Sequence, residues 1–268
     1  MVHALDISPP HDEDPPSHPN VHHAICDVAS WSALSAEFTR VGQVDIAIAN
    51  AGVDQDLNYF EDSFTEDGEL EKPTFRVIDV NYRAVIYFVK LSLSTFKRQG
   101  PGGSLVITSS ATAYSPEQSL PVYSATKCAS IGLVRSLRST IPFTHGATIN
   151  AVAPAATISR LLPPQLAKPI MAAGAPVSTA SFVGLAIAYS AVAQQEHPVE
   201  AYGCDTPEMM KTPGRWNGRT ILTLGDQYTE VEEPIASLRI QWFGEYNTKM
   251  TAFQQKLTDG RPHAKAPG

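Results

Sequence analysis

The sequence predicts an α/β domain built on a parallel sheet, and three observations predict it. Short apolar runs with strand character alternate with helical patterns along most of the 268 residues. Two of those runs close on turn-forming residues, Val44-Asp-Ile-Ala-Ile-Ala-Asn-Ala-Gly52 and Ala147-Thr-Ile-Asn-Ala-Val-Ala-Pro154. A third, Ser104-Leu-Val-Ile-Thr-Ser109, leads through a loop into a helix that starts after Pro121, which is the strand–loop–helix rhythm of such a domain.

The elements follow in order. Met1-Val-His-Ala-Leu-Asp-Ile7 reads as a strand with Asp6 at its end. Ile7 to Pro19, rich in proline and acid, reads as a solvated surface loop; His11 and His18 within it and His22 and His23 beyond it are too irregularly spaced for a metal site. Val21–Cys26 is a strand, Asp27-Val28 follows it, and Ala29–Phe38 is a capped amphipathic helix. Residues 53–73 form a long acidic loop at the rim of a cleft. Pro73 opens a helix that carries Asn81 and runs to about Arg98, where Gln99-Gly-Pro-Gly-Gly103 stops it. The helix after Pro121 runs to about Thr140. Residues 160–180, rich in Pro, Leu and Ala, read as a substrate-covering segment whose apolar lining suits a hydrophobic substrate. Ser178 caps a helix to about residue 194, and Arg219–Leu224 is the last strand. The tail carries Trp242, Phe243, Tyr246 and Phe253 and ends in a disordered Arg261-Pro-His-Ala-Lys-Ala-Pro-Gly268.

Composition narrows the function classes. With 43% hydrophobic and 18% charged residues, the chain can bury a substantial core. A net charge of −7 without a basic cluster argues against a nucleic-acid partner. No apolar stretch of about eighteen residues exists to span a membrane, and no basic-then-apolar leader opens the chain, so a cytoplasmic protein is expected. Cys26, Cys128 and Cys204 are too scattered for a metal site and are read as inert thiols.

Chemistry concentrates around Tyr123-Ser-Ala-Thr-Lys127. Four residues apart on a helix, Tyr123 and Lys127 share a face, and an ammonium beside a phenol favours the phenolate. Ser110, thirteen residues before the tyrosine and just past a strand, can hold a carbonyl or carbinol oxygen while the tyrosine moves its proton. A Y-x-x-x-K pair alone is common by chance, with a surface tyrosine and solvated lysine as the plain alternative; the serine and the strand–loop–helix setting lift it above that.

The ordered series Asp27-Val28, Asn50-Ala51-Gly52, Asn81, Ser110, Tyr123, Lys127 and Asn150-Ala-Val-Ala-Pro154 resembles the short-chain dehydrogenase/reductase superfamily, from about residue 2 to about residue 230. The runs Gly174–Gly184 and Arg215–Gly225 look like its branch of fungal biosynthetic-cluster dehydrogenases related to the 15-hydroxyprostaglandin dehydrogenase type. The resemblance implies a Rossmann-like, doubly wound parallel sheet over residues 1–230, a substrate-covering segment at about 157–180 and a C-terminal tail at 231–268. It makes Tyr123 the general acid/base, Lys127 its pKa-lowering partner and ligand of the nicotinamide ribose, and Ser110 the holder of the substrate oxygen. Asn81 anchors a water in that scheme, or else bonds backbone at a helix irregularity. Asn50 and Gly52 lie near the adenosine ribose, Asp27 and Val28 flank the adenine, and Thr157 or Ser159 bonds the nicotinamide carboxamide, although Pro154-Ala155 departs from the usual Pro-Gly. Asp6 either accepts the ribose hydroxyls, which favours NAD while leaving NADP open, or is a strand-end turn carboxylate. In relatives the two long helices pair between subunits, so a homo-oligomer is expected.

One family feature is missing. No glycine-rich G-x-x-x-G-x-G turn occurs in residues 1–50, so the chain reads as starting at the family's second strand, lacking the usual first strand and helix. Three explanations stand: a misassigned or clipped start, which we favour; a sheet re-closed with strand two directly against strand four; or a degenerate member. The expectation is an NAD(P)-dependent enzyme that oxidises a secondary alcohol or reduces a ketone of an apolar small molecule in secondary metabolism. The alternatives are a cofactor-independent isomerase or cyclase using Tyr123 and Ser110, and a non-catalytic remnant.

Overall fold

A computed structural model describes residues 1–10, 18–56 and 59–262. His11 and most of the proline-rich loop around it, and the last six residues of the tail, lie outside the described residues.

Two short strands come first, β1 (Val2–Asp6) and β2 (Val21–Ile25), paired in parallel with Val2 opposite Val21 and Asp6 opposite Ile25. Ser30, rather than a residue further back, caps α1 (Trp31–Val41) by accepting from the Ala33 N–H. β3 (Ile46–Ala49) follows, and then a helix in three parts: α2 (Arg76–Ile78), a π segment (Asp79–Arg83) and α3 (Ala84–Gln99). The helix expected to open at Pro73 therefore begins three residues later. Gly100, at φ 99°, ends it as expected, because a side chain is strained in that conformation.

β4 (Ser104–Thr108) leads through a 3-10 turn (Ala111–Ala113) to α4 (Pro121–Leu137), α5 (Ile141–His145) and β5 (Thr148–Pro154). In the covering segment, β6 (Thr157–Ile158) pairs in parallel with β7 (Ser178–Thr179) across α6 (Pro164–Ala172). Thr179, not Ser178, caps α7 (Ala180–Val192), since Ser178 is drawn into β7 and its hydroxyl donates to the Gly225 carbonyl. β8 (Gln194–Gln195) pairs with β9 (Gly214–Arg215), and β10 (Thr220–Leu224) turns at Gly225 into an antiparallel β11 (Gln227–Glu230). Arg219–Leu224 is thus not the last strand: four residues beyond the turn continue the ladder.

The main sheet runs β11-β10-β5-β4-β3 and is parallel except for β11. Leu105, Val106, Ile107, Ile149 and Val152 are fully buried, as both faces of a parallel strand require. On one face α3, α4 and α5 contribute Val89, Phe96, Ile131, Val134 and Ile141; on the other α7 contributes Val183, Ala186 and Ile187. The architecture is a Rossmann-like, doubly wound α/β fold.

Among the described residues no ladder joins β1 to β3, so strand two does not close onto strand four. The β1–β2 pair is held instead through α1, whose Leu34 and Phe38 pack with Cys26, Leu5, Val44 and Leu91. Phe38 meets Phe88 of α3 edge to face at 5.2 Å. Open edges leave apolar side chains uncovered: Ile46 and Ile48 of β3 are 44% and 40% exposed.

The tail forms α8 (Glu232–Ser237), α9 (Arg239–Phe243) and α10 (Glu245–Thr258). Glu232 is buried and accepts from the Tyr114 hydroxyl at 2.5 Å, from Arg135 at 2.8 Å and from Arg138 at 3.3 Å. Arg261, expected in a disordered end, is buried, pairs with Asp205 and Asp259, and donates to the Ser139 carbonyl. No helix among the described residues is long and apolar enough to cross a membrane, and no cluster of metal-ligating side chains occurs among them.

Candidate active site

The site forms where β4 ends and α4 begins, and backbone chemistry fixes it. The Ser109 hydroxyl donates to the Lys127 carbonyl at 3.0 Å, tying the strand end to the helix. Ser110 is extended (φ −160°), and its Oγ accepts from the Thr112 N–H at 3.2 Å and donates to the Pro154 carbonyl at 3.4 Å. One helical turn apart on α4, Tyr123 and Lys127 are both buried, with Nζ 5.5 Å from the centroid of the phenol ring. Lys127 Nζ donates to the Thr108 carbonyl at 3.1 Å. The structure therefore brings Ser110, Tyr123 and Lys127 together.

Burial governs the protons. It pushes the Tyr123 phenol above its ordinary value; a hydrogen bond with Ser110 partly offsets this, and the Asp54 carboxylate adds to the rise. The phenol is raised rather than lowered, and burial is the largest influence on it. Lys127 itself is brought down to about 8 by burial. At neutral pH the site holds a protonated phenol beside an amine that titrates close to working pH. Such a pair can deliver a proton to an oxygen held by Ser110 and replace it from the lysine.

Asn81 lies in the π segment and is fully buried. Its Oδ1 accepts from the Val53 N–H and its Nδ2 donates to the Val53 carbonyl, both at 2.8 Å. Of its two anticipated roles, the structure shows the backbone bond at a helix irregularity. Gly52 passes directly beneath: a Cβ there meets Asn81 Oδ1 and Lys127 Nζ at 3.5 Å each. Asn50, one turn of loop earlier, accepts from the Thr108 hydroxyl at 2.9 Å.

The remaining candidates stand apart. Asp6 is exposed and accepts from the Ser8 N–H at 2.9 Å, the strand-end turn role; Asp27 accepts likewise from the Ala29 N–H, with Val28 beside it packed towards α1. The Thr157 hydroxyl donates to the Ala155 carbonyl, and Ser159 Oγ accepts from the Leu161 and Leu162 N–H groups. A cavity of about 350 Å³ opens beside the start of α4, lined by Pro116, Pro121, Ala125 and Cys128 among others, but neither Ser110 nor Tyr123 lines it.

For a nicotinamide dinucleotide, the two ends of the site give different answers. At the nicotinamide end, the Lys127 amine and the Tyr123 hydroxyl are groups able to hydrogen-bond a ribose, and a Cβ at Gly52 would stand 3.5 Å from Lys127 Nζ. The pyrophosphate end has no glycine turn in residues 1–50: the first glycine of the chain is Gly42, which terminates α1 rather than opening a helix.

Sequence reasoning missed Gln55, whose buried Oε1 accepts from the Val122 and Tyr123 N–H groups at 2.9 Å each. No motif marks it. The available signal was negative: Leu120 and Pro121 open α4 without a capping side chain, so the cap has to come from elsewhere.

The family model described as short chain dehydrogenase matches residues 13–168. The chain belongs to the short-chain dehydrogenase/reductase family. It is 54% identical over 260 residues to the short-chain dehydrogenase/reductase prx4 of Penicillium rubens, covering 97% of this chain and 78% of that one. It is 46% identical over 261 residues to the short-chain dehydrogenase/reductase ATR7 of Stachybotrys chlorohalonatus, covering 97% and 80%. Among solved structures, ligand-free aldohexose dehydrogenase of Thermoplasma acidophilum superposes with a TM-score of 0.57 at 24% identity, over 71% of this chain and 76% of that one. A 3-ketoacyl-(acyl-carrier-protein) reductase of Brucella melitensis complexed with NADH gives 0.56 at 17%, over 76% and 78%. The structural likenesses carry the fold; the sequence relatives carry the family, whose members are oxidoreductases.

Proposed function

We propose that this short-chain dehydrogenase/reductase interconverts a secondary alcohol and a ketone on an apolar small molecule of fungal secondary metabolism, with NAD or NADP as co-substrate. The observation that carries the proposal is the buried convergence of Ser110, Tyr123 and Lys127. Tyr123 holds its proton at neutral pH and gives it to the carbonyl oxygen that Ser110 orients; Lys127 resupplies the phenol. A nicotinamide dinucleotide, when bound, would supply or accept the hydride. Tyr123, Lys127 and Gly52 would hold its nicotinamide end, and Asp6, Asp27, Val28 and Asn50 would bind its adenosine end.

The test has two arms. Tyr123→Phe is expected to lower turnover of cyclic apolar ketones by about 10²–10⁴-fold while the protein stays folded. Unchanged turnover would remove Tyr123 from the mechanism. Titration of NADH and NADPH, followed by their fluorescence, is expected to saturate. Absence of saturation with both, together with a Tyr123-dependent isomerisation, would favour a cofactor-independent catalyst instead.

A further inference from the structure

The start of α4 is unusual in what satisfies it. Leu120 occupies the capping position and offers no side-chain acceptor, and Pro121, the first helical residue, has no N–H. The next two N–H groups, of Val122 and Tyr123, both donate to one atom, Gln55 Oε1, at 2.9 Å each. The third, of Ser124, is already spent on the Leu120 carbonyl at 2.8 Å. Gln55 is 6% exposed and lies 67 and 68 residues away from its partners. The backbone N–H of the tyrosine is therefore held by a remote side-chain amide, while its carbonyl accepts from the Thr126 hydroxyl at 2.7 Å.

That anchor stands on a fixed base. Two residues before it, Val53 is clamped at both its N–H and its carbonyl by Asn81 of the π segment. Between them, the Asp54 carboxylate accepts from the Gln55 N–H at 2.9 Å and faces the phenol closely enough to influence its proton. Hydrogen bonds at Val53 and at Gln55, joined by the two intervening peptide links, thus connect Asn81 to the Tyr123 backbone, over the same stretch where Gly52 lies beside Lys127.

We propose that Gln55 is a positioning residue, fixing the first turn of α4 so that the Tyr123 phenol stands between Ser110 and Lys127. The proposal deepens the proton-transfer function and rests on it. A cap at any helix start contributes about 0.5–2 kcal/mol to stability. This one differs because its second donor is the N–H of the proton-transfer residue, so slack in the cap becomes displacement of the phenol. Displacements of about 1 Å lower rates by about 10²-fold.

Two substitutions separate positioning from simple capping. Gln55→Ala removes the acceptor. Gln55→Glu keeps an oxygen for both N–H groups, suits a helix N-terminus electrostatically and adds a negative charge near the phenol. The measurement is the ionised fraction of Tyr123 at about pH 10, the ordinary tyrosine midpoint, in protein carrying ¹³Cζ-tyrosine. The resonance is assigned by its loss in Tyr123→Phe, and melting temperatures are recorded alongside.

Burial is the larger of the influences on this phenol, so a loosened first turn admits water. Gln55→Ala is therefore expected to raise the ionised fraction several-fold, with the other tyrosines unmoved. Gln55→Glu is expected to restore the melting temperature and lower the fraction below wild type. A Tyr123 signal unchanged in both variants, whatever the melting temperatures do, overturns the proposal. If Gln55→Ala does not fold, the glutamate variant decides alone: no fall in its ionised fraction overturns the proposal. The titration needs neither substrate nor cofactor. Retained turnover in Tyr123→Phe therefore sinks the proton-transfer function, whereas an unmoved titration sinks only the role of Gln55.

Discussion

Tyr123, in the first turn of α4, and Asp6, at the end of β1, were both read from the sequence as site residues, yet the molecule treats them oppositely. The tyrosine is 8% exposed, anchored at its backbone by Gln55 and flanked by Ser110 and Lys127. Asp6 is exposed, at the end of a two-stranded sheet separate from the main one, and its carboxylate accepts from the Ser8 N–H. Around the tyrosine, β4 and β5 lie between helices on both faces; around the aspartate, β1 and β2 share a small cluster with α1 and the edge of α3. Proton chemistry needs groups held to fractions of an ångström in a dry place, and the central strands supply that. The contrast says that Ser110, Tyr123 and Lys127 lie in a buried, well-packed part of the molecule, while Asp6 lies on a separate, more exposed pair of strands.

The largest stability difference between the halves is expected in the strands themselves. Ile107→Ala in β4 removes a fully buried side chain that packs with Phe96 and Ile149, and is expected to destabilise by about 2–5 kcal/mol in urea melts. A loss under about 1 kcal/mol would mean that the main sheet is no better packed than the β1–β2 pair.

The next effect lies in Lys127, where function opposes stability. Its folded-state pKa, about 8, is below the ordinary 10.5, so folding disfavours the charged form. The penalty is fully present below pH 8 and is relieved as pH rises from 8 towards 10.5, because there the unfolded chain holds a proton that the folded one has released. Stability of the wild type relative to Lys127→Met is therefore expected to rise across that window by about 2–4 kcal/mol. Parallel denaturant titrations of the two proteins measure it; a flat difference would show that the ammonium is solvated and the site wetter than described.

Much of this was legible in the sequence, and the limits have physical causes. The strand at Ser104–Thr108, the helix after Pro121 and the Ser110–Tyr123–Lys127 set were readable because apolar period, proline position and residue spacing are local properties. Lys127 as a neighbour of Tyr123 was readable; the net effect on the phenol was not, because desolvation depends on what closes over the pair. Gln55 escaped because its partners lie 67 and 68 residues away and glutamine has no motif value. The buried Glu232 with Arg135, Arg138 and Tyr114 escaped for the same reason, and Arg261 was hidden in a segment whose composition reads as a loose end. The break between β1 and β3 was anticipated from a missing glycine turn, but only coordinates could choose between re-closure and an open edge.

The smallest expected effect tests that open edge most directly. Ile48 on β3 is 40% exposed, and its strand pairs only with β4 among the described residues. A side chain already in contact with water loses little on becoming polar, so Ile48→Ser is expected to change stability by no more than about 0.5 kcal/mol. The same substitution at a covered position forfeits burial of a large aliphatic group, about 1.5–3 kcal/mol. Urea melts of the purified chain, read over a tenfold range of protein concentration, distinguish the cases. A loss of the larger size would show that the β3 face is covered in solution, and its growth with concentration would make a second chain the cover. A small loss, independent of concentration, leaves β3 an open edge beside the buried Ser110, Tyr123 and Lys127.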